Sequence, residues 1–157
     1  MELDERTFKD LIHRQRDLIW NICRSYRLSA AWTTEDAFHE VLCDLWRSFG
    51  NFDKRCSERT WVFRVATNTM ISLTRKTANQ PTIQTTEYQE PSYNDENYHD
   101  LVEMIDATTE PDRTIIKAHV QGFSYAEIAK ITGLTIGAVS MRLTRALRKL
   151  RKQYNQN

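Results

Sequence analysis

Between Ser124 and Lys152 the chain reads SYAEIAKITGLTIGAVSMRLTRALRKLRK, and this stretch leaves few choices of fold. Ser124 followed three residues later by Glu127 makes a capping box, in which the Ser hydroxyl accepts the N3 amide and the Glu carboxylate accepts the amide of the cap residue. A helix is therefore predicted to start near Tyr125. Gly133, directly after Thr132, suits the left-handed position that ends such a helix, and Thr135 can cap the next one. Ala129 is small enough for a close crossing, with Ile128, Leu134 and Val139 as the apolar wedge. Two short helices at a sharp angle, joined by a tight turn, form a helix-turn-helix.

In the second of these helices Ile136, Val139, Leu143, Leu147 and Leu150 recur on one arc, while Ala138, Met141, Arg142, Arg145 and Lys149 occupy the opposite one. From Ile131 to the C-terminus stand Arg142, Arg145, Arg148, Lys149, Arg151 and Lys152 with no Asp or Glu, a formal charge of +6. Such a surface attracts phosphate. A merely solvated amphipathic helix would account for the charge taken alone. The capping box, the glycine turn and the small crossing residue agree with the charge in favour of a DNA-reading element.

With 157 residues, 40% of them hydrophobic and including four Trp and six Phe, the chain can build one core or two small ones. The near balance of 22 Lys+Arg against 21 Asp+Glu conceals an asymmetry, since Thr77 to Asp112 holds nine acidic residues and no Lys or Arg. Cys23, Cys43 and Cys56 include no CxxC pair, and an odd count argues against a disulfide framework, so a reducing cytoplasm is the expected setting. His39 and Cys43 lie one helical turn apart, but no second close pair completes a metal site, and neither metal nor cofactor is expected. The opening MELDERTFKD is too polar for a signal peptide, and no apolar run reaches membrane-spanning length, so no membrane insertion is expected.

Helical periodicity runs from about Glu5 to Arg27, with Phe8, Leu11, Ile12, Ile19, Ile22 and Tyr26 on one face. A second helix is predicted from Thr34, read as its N-cap, with Glu35 and Asp36 where the helix dipole favours carboxylates. Phe38, Val41, Leu42, Leu45 and Phe49 form its inward stripe; Asp36, His39, Glu40, Cys43, Asp44 and Arg47 lie outward, as a solvated face or as a polar docking surface. Gly50 and Asn51 break that helix, and the loop FDKRCSE leads into RTWVFRVATNTMISLTRK. There Val62, Val65, Ala66 and Leu73 point one way, while Trp61, Arg64, Asn68, Ser72 and Arg75 fall within an arc of about 80° at 100° per residue. That second stripe fits a Trp half-buried against a neighbouring helix. It also fits single-stranded nucleic acid, because rings and guanidinium planes stack on bases while the charges meet phosphate.

Beyond Lys76 the periodicity stops, and residues 78–98, with Pro81 and Pro91, read as a flexible acidic linker. A short helix is predicted around His99 to Ala107 and another from Pro111 to about Gln121. The expected fold is all-α: two small helical domains, 1–77 and 99–157, joined by that linker, with the helix-turn-helix in the second.

The blocks EDAFHEVLCDLWRSFGNFD, RTWVFRVATNTMISLTRK and GFSYAEIAKITGLTIGAVSMRLTRALRKLRK resemble, in order and spacing, the extracytoplasmic-function (ECF) group of bacterial RNA polymerase sigma factors. The resemblance covers nearly the whole chain. It implies that residues 1–77 bind core RNA polymerase and recognise and melt the −10 promoter element, and that 99–157 read the −35 element. Asp36, His39, Glu40, Asp44 and Arg47 match the face that docks on the clamp helices of the largest polymerase subunit, His39 standing where the family usually has Gln. The loop Phe52 to Glu58, with Arg55, matches the segment that captures a flipped-out base, Glu58 replacing the usual apolar residue, and Trp61, Arg64, Asn68 and Arg75 fall on the melting helix. For the −35 element the implied set is Ser124, Tyr125, Thr135, Ala138, Ser140, Met141, Arg142, Arg145 and Lys149, with Ser140 and Met141 in place of a commoner basic residue and Ser.

The resemblance further implies three partners: core polymerase, promoter DNA and an anti-sigma factor that covers the polymerase-binding surfaces. The acidic linker is expected to occupy a basic channel of the polymerase. Catalysis would belong to the polymerase, and the chain is expected not to be an enzyme. It holds no Gly-rich phosphate loop, no metal-spaced ligands and no nucleophile beside an evident base. Weak contacts at two promoter elements would become one strong interaction on a shared core enzyme. The alternative, a stand-alone helix-turn-helix regulator, would need a dimerisation or effector domain and would leave the Trp61 to Arg75 stripe unexplained.

Overall fold

The structure, a computed structural model, describes residues 2–29, 31–77 and 96–156. Among the described residues there are seven helices and no strand: α1 (Glu2–Arg24), α2 (Thr34–Phe49), α3 (Glu58–Thr77), α4 (Glu96–Asp106), α5 (Asp112–Val120), α6 (Tyr125–Thr132) and α7 (Ile136–Gln156). They gather into two compact units, α1 to α3 in one and α4 to α7 in the other. The fold is thus all-α, as expected; of the stretch read as a flexible linker, 78–95 lies outside the described residues, and 96–98 belong to the start of α4.

In the first unit three helices pack pairwise around one core. Leu11, Ile19, Ile22 and Cys23 of α1, Ala37, Val41 and Leu45 of α2, and Val62, Phe63, Ala66 and Met70 of α3 are each 2% exposed or less. Full burial of a large side chain of this kind contributes about 1.5–3 kcal/mol, so the three stripes together hold the unit. Burial also pushes the Cys23 thiol up to about 12.

Several local details differ from the sequence expectation. Helix α1 ends at Arg24 rather than Arg27, and Tyr26 is buried in the turn that follows. The cap of α2 is Thr33, not Thr34: the Thr33 hydroxyl accepts the Asp36 amide at 3.1 Å and the Asp36 carboxylate accepts the Thr33 amide at 3.0 Å. That second bond chiefly holds the Asp36 carboxyl below its ordinary value. Adjacent threonines are equivalent cappers on composition, and the acid three residues on selects Thr33. Phe38, Leu42 and Phe49 are half-buried, the innermost positions of α2 being Ala37, Val41 and Leu45. Helix α3 begins at Glu58, because the Ser57 hydroxyl accepts the Thr60 amide at 3.1 Å and so serves as its cap.

The second unit is built on Ile115, Ile116, Phe123, Ile128, Val139, Leu143, Ala146 and Leu150, all buried. The helix-turn-helix forms as its punctuation dictates. Ser124 Oγ accepts the Glu127 amide at 3.2 Å, and Glu127 Oε2 accepts the Ser124 amide at 2.8 Å. Gly133 closes α6 at φ 76°, its N–H donating to the Ala129 carbonyl at 2.8 Å; a side chain at that φ would be strained. Thr135 Oγ1 accepts the Ala138 amide at 3.1 Å and starts α7. The inner arc of α7 is Val139, Leu143, Ala146 and Leu150. Ile136 and Leu147, expected on it, are 54% and 39% exposed, because the 4-3-4 step through Ala146 leaves both at the rim of the stripe.

A buried ion pair ties α4 to α5. Lys117 is 6% exposed, and its ammonium lies 3.0 Å from Asp106 Oδ1. Arg113 reinforces the junction by donating to the Asp106 carbonyl at 3.2 Å and to Glu110 Oε1 at 2.8 Å. Burial lowers the Lys117 pKa from 10.5 to about 8, with the Asp106 charge opposing the shift. Between those two values the unfolded chain carries the extra proton, so stability of this unit rises with pH, by at most about 1.4 kcal/mol per pH unit. Below pH 8 both states are protonated and the contribution is flat. In urea titrations from pH 7.5 upward, Lys117→Met should abolish that rise. Asp106→Asn, which strips the carboxylate from the buried ammonium, should destabilise the unit by about 3–5 kcal/mol.

Candidate nucleic-acid interface

Helix α7 presents Arg142, Arg145, Arg148, Lys149, Arg151 and Lys152, all exposed, and has no acid along its length. The buried stripe sets their direction, and at 100° per residue Ala138, Met141, Arg142, Arg145 and Lys149 share an arc of about 100° beside it. Ser140, half-buried, lies about 160° round the helix from Arg142. Ser124 and Thr135 each accept a backbone amide proton, and an accepting hydroxyl keeps its own proton to donate. Tyr125, at the start of α6, is exposed. All nine residues of the expected −35 set lie on α6, α7 or their caps, but Ser140 faces away from the arc that holds Arg142, Arg145 and Lys149. Besides the two capping hydroxyls, Arg142 is engaged within the unit: its Nη1 donates to Asp112 Oδ1 of α5 at 3.1 Å.

In the first unit Arg64, Asn68, Ser72 and Arg75 are exposed along α3, and Trp61 is half-buried at its start. The Trp61 ring stacks on Phe52 of the preceding loop, centroids 4.8 Å apart and planes at 25°, and tilts against Phe49 at 6.3 Å. Phe8 meets both Trp46 at 5.0 Å and Phe49 at 5.3 Å, so five rings run from α1 to the loop without a gap. Two readings of Trp61 were open, and the ring is indeed half-buried, yet against a loop and the end of α2 rather than a flat helix face. The loop itself is held from several sides. Lys54 has φ 60°, a left-handed conformation uncommon outside glycine, and Arg55 Nε pairs with Asp53 at 2.7 Å.

Glu58 explains the loop's far end. Arg14 of α1 donates to it twice, Nη2 to Oε1 at 2.6 Å and Nε to Oε2 at 3.3 Å, a bidentate clamp that also raises the Arg14 pKa through the hydrogen bond to Glu58. An acid at this position therefore has a partner on another helix. Sequence spacing gave no sign of Arg14, which lies 44 residues away.

On α2, His39 and Cys43 are exposed and Glu40 is half-buried. Asp36 is committed to the cap. Asp44 bonds inward as well as outward: its Oδ2 accepts the Thr69 hydroxyl of α3 at 2.7 Å, and its Oδ1 accepts Arg47 Nη1 at 2.8 Å. A shallow groove beside this face, between α1 and α2, is lined by Arg16, Asp17, Trp20, Glu35, Phe38 and His39. Among the described residues no cluster of three His, Cys, Asp or Glu side chains could hold a metal ion. Nor is any described helix long and apolar enough to cross a membrane.

Family comparison matches Sigma-70 region 2 to residues 11–80 and Sigma-70, region 4 to residues 98–150. The chain is 29% identical over 134 residues to the ECF RNA polymerase sigma factor SigX of Bacillus subtilis, and 26% identical over 129 residues to the ECF RNA polymerase sigma factor SigC of Mycobacterium tuberculosis. Each alignment covers 76% of this chain and 69% of the relative. Two solved structures share the fold. CnrH, in complex with the cytosolic domain of CnrY, superposes with a TM-score of 0.72 at 22% identity, over 98% of this chain and 90% of that one. The sigma factor RpoE, in complex with the anti-sigma factor NepR from Bartonella quintana, gives 0.73 at 21% identity, over 96% and 98%.

The Thr69–Asp44 bond is a direct polar link between α2 and α3. Thr69→Val and Asp44→Asn should each lower the stability of the first unit by about 1 kcal/mol, and the double variant should lose little more than either single one. Guanidinium titrations of all four proteins measure it. Fully additive losses would mean that the two groups do not act on each other.

Proposed function

This chain belongs to the extracytoplasmic-function group of RNA polymerase sigma factors, and from that premise we propose that it directs core polymerase to promoters with both elements and opens them. Residues 1–77 bind the core enzyme and melt the −10 element, the unit that begins with α4 reads the −35 element, and the acidic stretch between them is the tether. The observation that carries this reading is the pairing, in one chain, of a basic capped α6–α7 corner with an aromatic and guanidinium stripe on α3.

Each role follows from the chemistry of the side chains on these faces. His39, Glu40, Asp36, Asp44 and Arg47 give α2 a polar face suited to a helical partner, and this is where the core enzyme docks. Trp61, ready-stacked on Phe52, offers an aromatic edge beside Arg64, Asn68 and Arg75 for unpaired bases, and Arg55 meets the strand backbone. On α7, Arg142 and Arg145 lie in the early turns that reach base edges in a major groove, with Ala138 and Met141 beside them. Lys149, farther along, meets phosphate. The polymerase supplies all bond-making chemistry, in the cytoplasm, and the sigma chain uses no cofactor. RpoE is a sigma factor solved with an anti-sigma partner, and a partner of that kind is proposed to cover the polymerase-binding face here. The acidic tether is proposed to enter a basic channel of the polymerase.

Reconstitution with core polymerase tests the reading: capture on the core enzyme and run-off transcription from a template library randomised across the −35 element, at two salt concentrations. Tight capture and promoter-selective transcripts are expected, and a chain that fails to bind core is not acting as proposed. Glu40→Lys is the cleaner probe of docking, because Asp36 is tied to the cap and Asp44 to Thr69; it should weaken capture while leaving helicity unchanged. Arg145→Ala should alter the selected −35 sequence. Lys149→Ala should lower all promoters about equally and reduce the salt slope by about 1.

A further inference from the structure

Asp112 is an acid on the unit that carries the +6 surface, and it sits against that surface. It opens α5, and its Oδ1 lies 3.1 Å from Arg142 Nη1 on the second turn of α7, joining residues 30 apart in sequence. The two side chains are 30% and 45% exposed, so the pair is partly open to an incoming ligand. A carboxylate beside a phosphate-binding arc weakens the attraction for a polyanion. Its position needs a compensating role, and the geometry supplies one.

An arginine fork carries five N–H donors in fixed relative directions, and reading guanine takes two of them in parallel on O6 and N7. Asp112 engages Nη1, which leaves the remaining edge of the fork to point elsewhere. The carboxylate is itself anchored, since α5 is fixed by Ile115, Ile116 and Ala118 in the core. Among the described residues, Arg142 is the arginine of the arc that meets an acid of α5. We infer that Asp112 is a positioning residue for −35 recognition, holding the Arg142 guanidinium so that its free edge meets one guanine and so setting the base preference at one position. This inference rests on the reading of α7 as the DNA-reading helix.

A rival role exists for Asp112, because an acid in the first turn of a helix also interacts favourably with the helix dipole. That role affects stability and leaves base choice untouched, so base choice is the readout. Reconstituted holoenzymes carrying Asp112→Ala, Asp112→Glu, Arg142→Ala or the Asp112→Ala/Arg142→Ala pair would be assayed on the randomised −35 library, with circular dichroism of each sigma chain. Asp112→Asn, nearly isosteric, stands in should the Ala variant fail to fold. Asp112→Ala should reduce guanine preference about five- to tenfold at the same position that Arg142→Ala affects. Asp112→Glu should restore part of it, and the double variant should match Arg142→Ala alone. If Arg142→Ala changes the selection but Asp112→Ala and Asp112→Asn do not, Asp112 is only a helix-end acid and the inference falls while the reading of α7 stands. If neither substitution changes the selection, the inference falls and Arg142 is not a base contact, while Arg145→Ala still tests the reading of α7.

Discussion

Isolated helices shorter than about 12–15 residues are marginal in water, so α6, eight residues long, persists because both its ends and its inner face are satisfied by the rest of its unit. Ser124 and Glu127 supply the start, Gly133 the stop, and Ile128 the single fully buried contact between. Everything α7 can do depends on that arrangement. The turn after Gly133 fixes where Thr135 caps α7, and the cap fixes which turn carries Arg142 and Arg145. The long helix thus takes its orientation from the short one.

What the sequence disclosed and what it withheld follow from the range of the forces involved. Caps and breaks are local: Ser124 to Glu127, Gly133 and the Gly50 break all sit within four residues of what they control, and each was legible. Core faces were legible in outline, since apolar spacing marks a direction, but the depth of burial depends on the neighbour. Ala37 outranks Phe38 on α2, Ala146 outranks Leu147 on α7, and Phe63 and Met70 complete α3, because small residues mark where helices cross and periodicity weights only hydrophobicity. The contacts that escaped altogether are polar bonds between helices: Arg14 to Glu58, Thr69 to Asp44, Asp112 to Arg142. No pattern in one strip of sequence points to a partner 25 to 44 residues off.

Those same bonds change how the candidate residues are understood. On a helix wheel the outward charges read either as a solvated face or as a docking surface, with no partner inside the unit. Instead Asp36 completes a cap, Asp44 joins two helices, Arg55 leans on Asp53 and Arg142 on Asp112. A side chain already braced loses less conformational freedom when it meets a partner than one that swings freely. Part of the ordering demanded by recognition is thereby completed during folding.

The buried thiol of Cys23 has a practical consequence. Only a thiolate reacts readily, and a group fully enclosed in the three-helix core, with its ionisation pushed up to about 12, offers almost none at neutral pH. Cys43 is exposed and Cys56 half-exposed. A thiol-reactive dye would therefore consume those two within moments and then wait on the third, whose labelling clock is the opening of the α1–α3 core. The first unit carries its own stopwatch for unfolding, readable in dilute buffer without denaturant.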